Sequence, residues 1–202
     1  MDVGSNSKMA ISINNQSSKI ESVLREDIKW GQIIYYFMLH GIFILYTAKR
    51  DNILQLNAEH LFSLIVTVVI VGLFIGVISN LIVGLLVALI GKAFKANNSI
   101  KNIYKALAYA YRPFILTALL ILTHITIAFY FESSFIQDVP ALIVIVMVII
   151  RLAIGLLALW SLVLLIKGLM AAQGLSIGQT IINYLIAAVG YTPLYYLLMM
   201  KI

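Results

Sequence analysis

The stretch LFSLIVTVVIVGLFIGVISNLIVGLLVALIG, residues 61–91, contains no charged side chain. A membrane-spanning helix needs about 20 mostly apolar residues, because the hydrocarbon core is about 30 Å thick. The stretch is too long for one perpendicular span and too short for two spans with a turn, so it predicts one long or tilted transmembrane helix. Of the residues in the whole chain, 62% are hydrophobic and 11% are charged. In soluble domains the hydrophobic fraction is about 45–50% and the charged fraction about 25%. An integral membrane protein is therefore predicted, and a soluble domain is excluded.

Four further apolar stretches predict four more spans. Uncharged stretches occur at 30–48, 113–131 and 168–200, and the stretch 139–166 is interrupted only by Arg151. The start of 168–200 is rich in Gln, Gly and Ser, so only its later part is expected in lipid. We predict an all-α polytopic bundle of five transmembrane helices, formed by residues 30–202, with approximate spans 30–48, 63–91, 113–131, 141–166 and 181–199. For 30–48, whose aromatic residues suit an interface, a helix lying in the membrane plane is the alternative.

The Lys and Arg residues predict the orientation. Cytoplasmic loops of membrane proteins carry an excess of these residues. Ten lie on one side of the predicted spans, whereas the other side holds only Lys49, Arg50 and Lys201. The N-terminus is therefore expected in the cytoplasm and the C-terminus outside. The ten are Lys8, Lys19, Arg25, Lys29, Lys92, Lys95, Lys101, Lys105, Arg112 and Lys167.

Two amphipathic segments are predicted outside the lipid. The cytoplasmic segment 1–29 lacks the apolar core of a signal peptide, and 18–30 is typical of a short amphipathic helix with Ser18 and Glu21 in a capping box. Residues 98–112 repeat the amphipathic pattern. The basic residues of this second segment and of the residues just before it predict a surface that binds anionic lipid headgroups or a partner. The alternative is that these basic residues only enforce the topology. The surface comprises Lys92, Lys95, Lys101, Lys105 and Arg112.

The second span carries a small or polar residue at every fourth position. Small side chains let two helix backbones approach, and an amide can form a hydrogen bond across such a contact. The pattern predicts close helix contact, either within the bundle or across a homodimer. Its members are Gly72, Gly76, Asn80, Gly84 and Ala88.

Arg151 is the one charge inside a predicted span. An Arg near the bilayer centre costs roughly 2.5 to 15 kcal/mol, depending on the scale, and is a functional hypothesis by default. Expected partners are Glu132, Asp138 or Glu59. The alternative is that its long side chain reaches the interface while its apolar stem stays in lipid.

No pattern of a catalytic or cofactor site is present. The chain has no cysteine, which excludes thiolate metal sites and a cysteine nucleophile. His40, His60 and His124 lack metal-ligand spacing, and no nucleotide-binding or hydrolase motif occurs. We therefore expect no enzyme activity, no cofactor, no metal and no nucleic-acid partner.

Two stretches, KALAYAYRP at 105–113 and WSLVLLIKGLMAAQGLSIG at 160–178, resemble the Yip domain family of Ypt/Rab-interacting membrane proteins. The resemblance covers about 30–200 and implies five spans, a cytoplasmic N-terminus and no catalytic residue. At the place of the Asp-Leu-Tyr-Gly-Pro-like motif of the eukaryotic branch, residues 26–31 read EDIKWG, which favours a bacterial-type member. The residues in matching places are Tyr109, Pro113, Trp160, Gly168, Gln173, Gly174, Leu175, Ser176 and Gly178.

The resemblance and the missing catalytic groups predict a non-enzymatic protein. Its expected role is membrane organisation, trafficking or service as a partner-binding membrane subunit, with membrane lipids, a second copy or another membrane protein as partner. The alternative is a small transporter or channel component that uses Arg151 and Asn80 in a polar intramembrane path. The expected location is the cytoplasmic membrane, or an endomembrane if the source is eukaryotic.

Overall fold

The computed structural model describes residues 22, 28–53, 61–96, 99–133 and 140–199, which form six helices. The all-α prediction is confirmed for this part of the chain. The helices are α1 (Trp30–Ile53), α2 (Leu61–Ala93), α3 (Ile100–Ala110), α4 (Phe114–Ser133), α5 (Ala141–Gln173) and α6 (Ile177–Met199).

Three of the described helices contain segments long and apolar enough to cross a membrane. They are Trp30–Ala48, Ile65–Ala93 and Ala141–Gln173, from α1, α2 and α5. The pair α3 and α4, bent by 45° at a short break, qualifies as a fourth when it is taken as one span. The helix α6 is 23 residues long and carries Pro193. At 1.5 Å per residue, the 33 residues of α5 extend for about 50 Å, well beyond the hydrocarbon core.

The six helices enclose two groups of buried side chains. α1 and α2 pair closely along their length, α3 lies against α5, and α6 lies against α2. One buried group surrounds α3 and includes Ile103, Leu107 and Leu169. The other joins α1, α2, α4 and α5. Large apolar side chains on the outer faces of α2, α5 and α6 stay exposed, as expected of helices surrounded by lipid.

The short helix α3 differs from the expected surface helix. Its amphipathic sequence does form a helix, but most of its residues, including Lys105, are buried by the other helices. Small side chains at Ala106, Ala108 and Ala110 let neighbouring helices approach on several sides. The other predicted amphipathic segment, 18–30, lies largely outside the described residues.

The chain bends between α3 and α4 at Pro113. Proline has no backbone N–H and disfavours helical geometry in the residue before it. The carbonyl of Ala110 at the end of α3 accepts a hydrogen bond from Ser161 Oγ at 2.8 Å. The end of α3 is thereby attached to α5.

Candidate functional site

The small residues of α2 lie against two other helices of the same chain. A Cβ on Gly72 would be 3.0 Å from Ile42 Cα, and one on Gly76 would be 2.7 Å from Gly41 Cα. A Cβ on Gly84 would overlap the ring of Tyr104 in α3. The sequence left open whether these glycines contact helices of the same chain or of a second copy. In the structure they contact helices of the same chain. Ala88, the last member of the pattern, is buried in the group around α3.

Asn80 is buried and hydrogen-bonded to His40. The amide of Asn80 contacts His40 Nδ1 through both its oxygen, at 3.2 Å, and its nitrogen, at 3.1 Å. Asn80 Nδ2 also donates to Gly76 O at 2.7 Å. The ring of His40 stacks on Tyr111, with centroids 4.0 Å apart and planes at 17°. A histidine of α1 thus joins α2 to the turn between α3 and α4.

Arg151 forms part of a second polar chain. Its Nε donates to His124 Nε2 at 2.9 Å, and His124 Nδ1 bonds the hydroxyl of Tyr46 at 3.0 Å. Because Nε2 accepts, Nδ1 carries the proton of a neutral His124 and donates to Tyr46. His124 and Tyr46 are buried, whereas Arg151 is exposed on α5. The expected acidic partners Glu132, Asp138 and Glu59 lie outside the residues whose side chains are described.

Two residues of the family pattern hold the turn between α5 and α6. Gly174 has φ +68° and closes α5 by donating its N–H to Met170 O. Ser176 and Gln179 form a capping box at the start of α6: Ser176 N donates to Gln179 Oε1 at 3.1 Å, and Gln179 N donates to Ser176 Oγ at 3.4 Å. Gly178 has no atom within 4 Å of an added Cβ.

Gln173 is the centre of a buried polar cluster. Its Nε2 donates to Val87 O at 3.3 Å, and its Oε1 accepts from Asn183 Nδ2 at 2.9 Å. Asn183 Nδ2 also lies 3.2 Å from Val87 O. These bonds connect α2, α5 and α6. Asn183 Oδ1 is, among the described side chains, the one buried polar atom without a hydrogen-bond partner.

Four further residues of the family pattern lie in α3, in the turn after it and in α5. Tyr109 lies under the guanidinium of Arg112, with 4.7 Å from Cζ to the ring centroid. Pro113 marks the bend, and Trp160 is exposed on α5. Gly168 lets α5 approach α3, because its Cβ would be 3.2 Å from Ala106 Cβ. The pattern therefore describes helix contacts and turns.

The predicted basic surface is partly present. Lys92, Lys95, Lys101 and Arg112 are exposed, whereas Lys105 is 5% exposed. Lys95 has φ +57°, in the turn after α2. Binding of anionic lipid or of a partner at these residues stays a prediction.

The described side chains contain no group of three or more His, Asp or Glu able to hold a metal ion. Four residues that organise the polar interior were not among the candidate site residues predicted from the sequence: His40, Tyr46, His124 and Asn183. Polar side chains within apolar spans tend to form hydrogen bonds with other helices. The presence of each of these residues in an apolar stretch therefore indicated a contact with another helix. The partners themselves could not be named, since Tyr46 and His124 are 78 residues apart.

Comparison with known proteins gives a family and no individual relative. Neither the curated proteins nor the solved structures include a significant match. The family profile of the Yip1 domain matches residues 15–200, which include α1 to α6. Members of this family are generally non-enzymatic membrane proteins. The matched residues include the helices that are able to span a membrane, and this multi-pass membrane protein therefore belongs to the Yip1 domain family.

Proposed function

We propose that this chain is a non-enzymatic, five-span protein of the cytoplasmic membrane that binds a membrane-protein partner through the exposed face of α5. The observation that carries the proposal is the exposure of this helix. In the most apolar 18-residue segment of α5, 11% of the residues are buried, against 39% in that of α2 and 33% in that of α1. The first half of α5 contributes little to the bundle, since Ile150 and Ile154 are its only buried residues before Ser161. This half of the helix therefore has most of its surface free for another helix.

Arg151 indicates the chemistry of the partner. One of its five N–H groups is used by His124, and the side chains of all eight Asp and Glu residues of the chain lie outside the part that the structure describes. A guanidinium exposed on an apolar span costs at least roughly 2.5 kcal/mol without a partner. A partner helix with a carboxylate would remove that cost with a bidentate ion pair. A lipid phosphate is the competing anion.

A crosslinking experiment tests the proposal. A photoreactive amino acid is placed at Val148 on α5, three residues before Arg151 on the same side of the helix, or at the equally exposed Ile70 of α2 as the matched control. We expect a discrete protein adduct from Val148 alone, and we expect Arg151→Gln to abolish it. Lipid adducts from both positions, or an adduct unaffected by Arg151→Gln, would contradict the proposal.

The proposed topology is testable because the chain has no cysteine. Single cysteines at Ser7, Ser99, Ser134, Ser176 and Ile202 are exposed to an impermeant thiol reagent from outside. The proposed orientation predicts labelling at 134 and 202 only. Labelling at 134 with protection at 202 would give an even number of spans and contradict it.

A small transporter or channel component is the second candidate. Two hydrogen-bonded polar groups, His40 with Asn80 and Tyr46 with His124 and Arg151, lie along α1 and support it. A cysteine at 151 discriminates: a water-filled path predicts labelling by the impermeant reagent, and a contact with lipid or protein predicts protection. For a transporter, Arg151→Leu should abolish transport at unchanged expression.

A further inference from the structure

A cavity of about 270 Å³ opens between α1, α2 and α6, against the turn after α3. Five aromatic rings line it, from His40, Tyr111, Tyr184, Tyr191 and Tyr195. Among the residues that the structure describes, its lining includes no Asp, Glu, Lys or Arg. We call it the tyrosine cavity.

Three tyrosines that line the cavity have accessible hydroxyls without a described hydrogen-bond partner. Tyr191 bonds Ser79, whereas the hydroxyls of Tyr111, Tyr184 and Tyr195 bond no described residue. Among the described side chains, Asn183 Oδ1 is the one polar atom that is both fully buried and without a hydrogen-bond partner. The three hydroxyl oxygens have no described partner and are not fully buried. These oxygens are therefore accessible, even though Tyr111 as a whole is 3% exposed. Each phenol can donate one hydrogen bond, and an unmet donor in a weakly polar site is costly.

The lining selects a neutral, flat ligand that accepts hydrogen bonds. The described lining residues carry neither a cationic nor an anionic side chain, so this part of the wall offers a ligand only neutral hydrogen-bonding groups and aromatic rings. The stacked rings of His40 and Tyr111 form an aromatic wall. Aromatic rings prefer offset or edge-to-face contact with another ring system. The volume lies slightly below that of drug-sized pockets, so it suits a single ring head rather than a whole lipid.

We propose that the tyrosine cavity binds the head of a quinone-type amphiphile. The ligand has a flat, uncharged ring with two carbonyl oxygens and an apolar tail. The carbonyl oxygens accept hydrogen bonds from the hydroxyls of Tyr111, Tyr184 and Tyr195. Thr47 and Thr192 are exposed lining residues on α1 and α6, and the tail leaves past them into the lipid.

The test uses the full chain in phospholipid nanodiscs and a decyl-substituted dimethoxy-methyl-1,4-benzoquinone as the probe. Binding is measured by equilibrium partition against empty nanodiscs. We expect Tyr111→Phe, Tyr184→Phe and Tyr195→Phe each to weaken binding about five- to tenfold, as expected for one lost hydrogen bond. Tyr196→Phe, on the exposed face of α6, is the matched control and should bind as the unaltered chain does.

Two further measurements guard against misfolding and simple partition. Ala188→Trp fills the cavity from one wall without removing a hydroxyl and should abolish binding. Decylbenzene, which has the ring and tail but no carbonyl, should bind no more than to empty nanodiscs. Equal binding of the two probes, binding retained in Ala188→Trp, or a phospholipid copurifying in the cavity would overturn the proposal.

Discussion

Gly41 in α1 and Gly76 in α2 are in backbone contact, with no side chain between them: a Cβ on Gly76 would lie 2.7 Å from Gly41 Cα. This contact is continued by Gly72 and brings the polar side chains of the same two helices together. Asn80 follows Gly76 by one turn and thereby reaches His40. Close backbone approach in the membrane gives van der Waals contact where lipid supplies no hydrophobic driving force between helices.

Replacing these glycines should destabilise the bundle in a graded way. Gly41→Ala and Gly76→Ala would overlap backbone atoms, and an added group in a tight contact costs about 1–3 kcal/mol. Gly72→Ala, whose Cβ would be 3.0 Å from its nearest neighbour, should cost less. Gly155→Ala is the control, because its Cβ meets nothing within 4 Å, and its higher helix propensity should leave stability equal or greater. Thermal unfolding in detergent measures the order, and equal losses at 76 and 155 would contradict the contact.

Two glycines of the family pattern, four residues apart, should respond differently to alanine. Gly174 has φ +68° and ends α5, where a side chain costs roughly 1–2 kcal/mol in the left-handed region. Gly178 lies in the first turn of α6 with open space around it, so Gly178→Ala should be neutral or stabilising. The readout is the unfolding midpoint of each variant, and Gly174→Asn should recover part of the loss.

The buried cluster around Gln173 should be sensitive to loss of its amide. Gln173→Leu removes the bonds to Val87 O and to Asn183, leaving buried polar groups without that partner. Such a loss costs about 1–3 kcal/mol. Gln32→Leu, at an exposed position of α1, is the control and should change stability little. A midpoint for Gln173→Leu that matches the Gln32→Leu value would show that the cluster is dispensable.

The contact between His124 and Arg151 should appear as a coupling in a double-mutant cycle. His124→Leu, Arg151→Leu and the double variant are compared in free energy of unfolding. Hydrogen bonds between membrane helices contribute on average about 0.6 kcal/mol and at most about 1.7 kcal/mol. We expect a coupling in this range or above it, since the donor is charged. Additive effects would mean that the 2.9 Å contact contributes no stability.

Much of the architecture is local in origin, and the sequence predicts it well. The uncharged runs predict the two longest helices, so that predicted span 63–91 lies within Leu61–Ala93 and 141–166 within Ala141–Gln173. Gly174, in the Gln-, Gly- and Ser-rich start of 168–200, has a left-handed φ at the end of α5, which glycine adopts readily. Ser176 and Gln179 also have the spacing of a capping box, which is a local signal for the start of α6.

The partners across the bundle come from the tertiary structure alone. A span that is apolar all round has no polar face to show which side is buried. The sequence therefore predicted which residues of α2 make close contacts but not which helices they contact. Gly41, His40 and Tyr191 meet residues 31 to 112 positions away, and those contacts depend on the rotation of whole helices. The burial of Lys105 and the tyrosine cavity arise in the same way. Sequence alone thus determined the membrane class, the helices and the family pattern, because run length and composition are local. The tertiary structure decided which side chains meet, because contacts between helices depend on their mutual orientation.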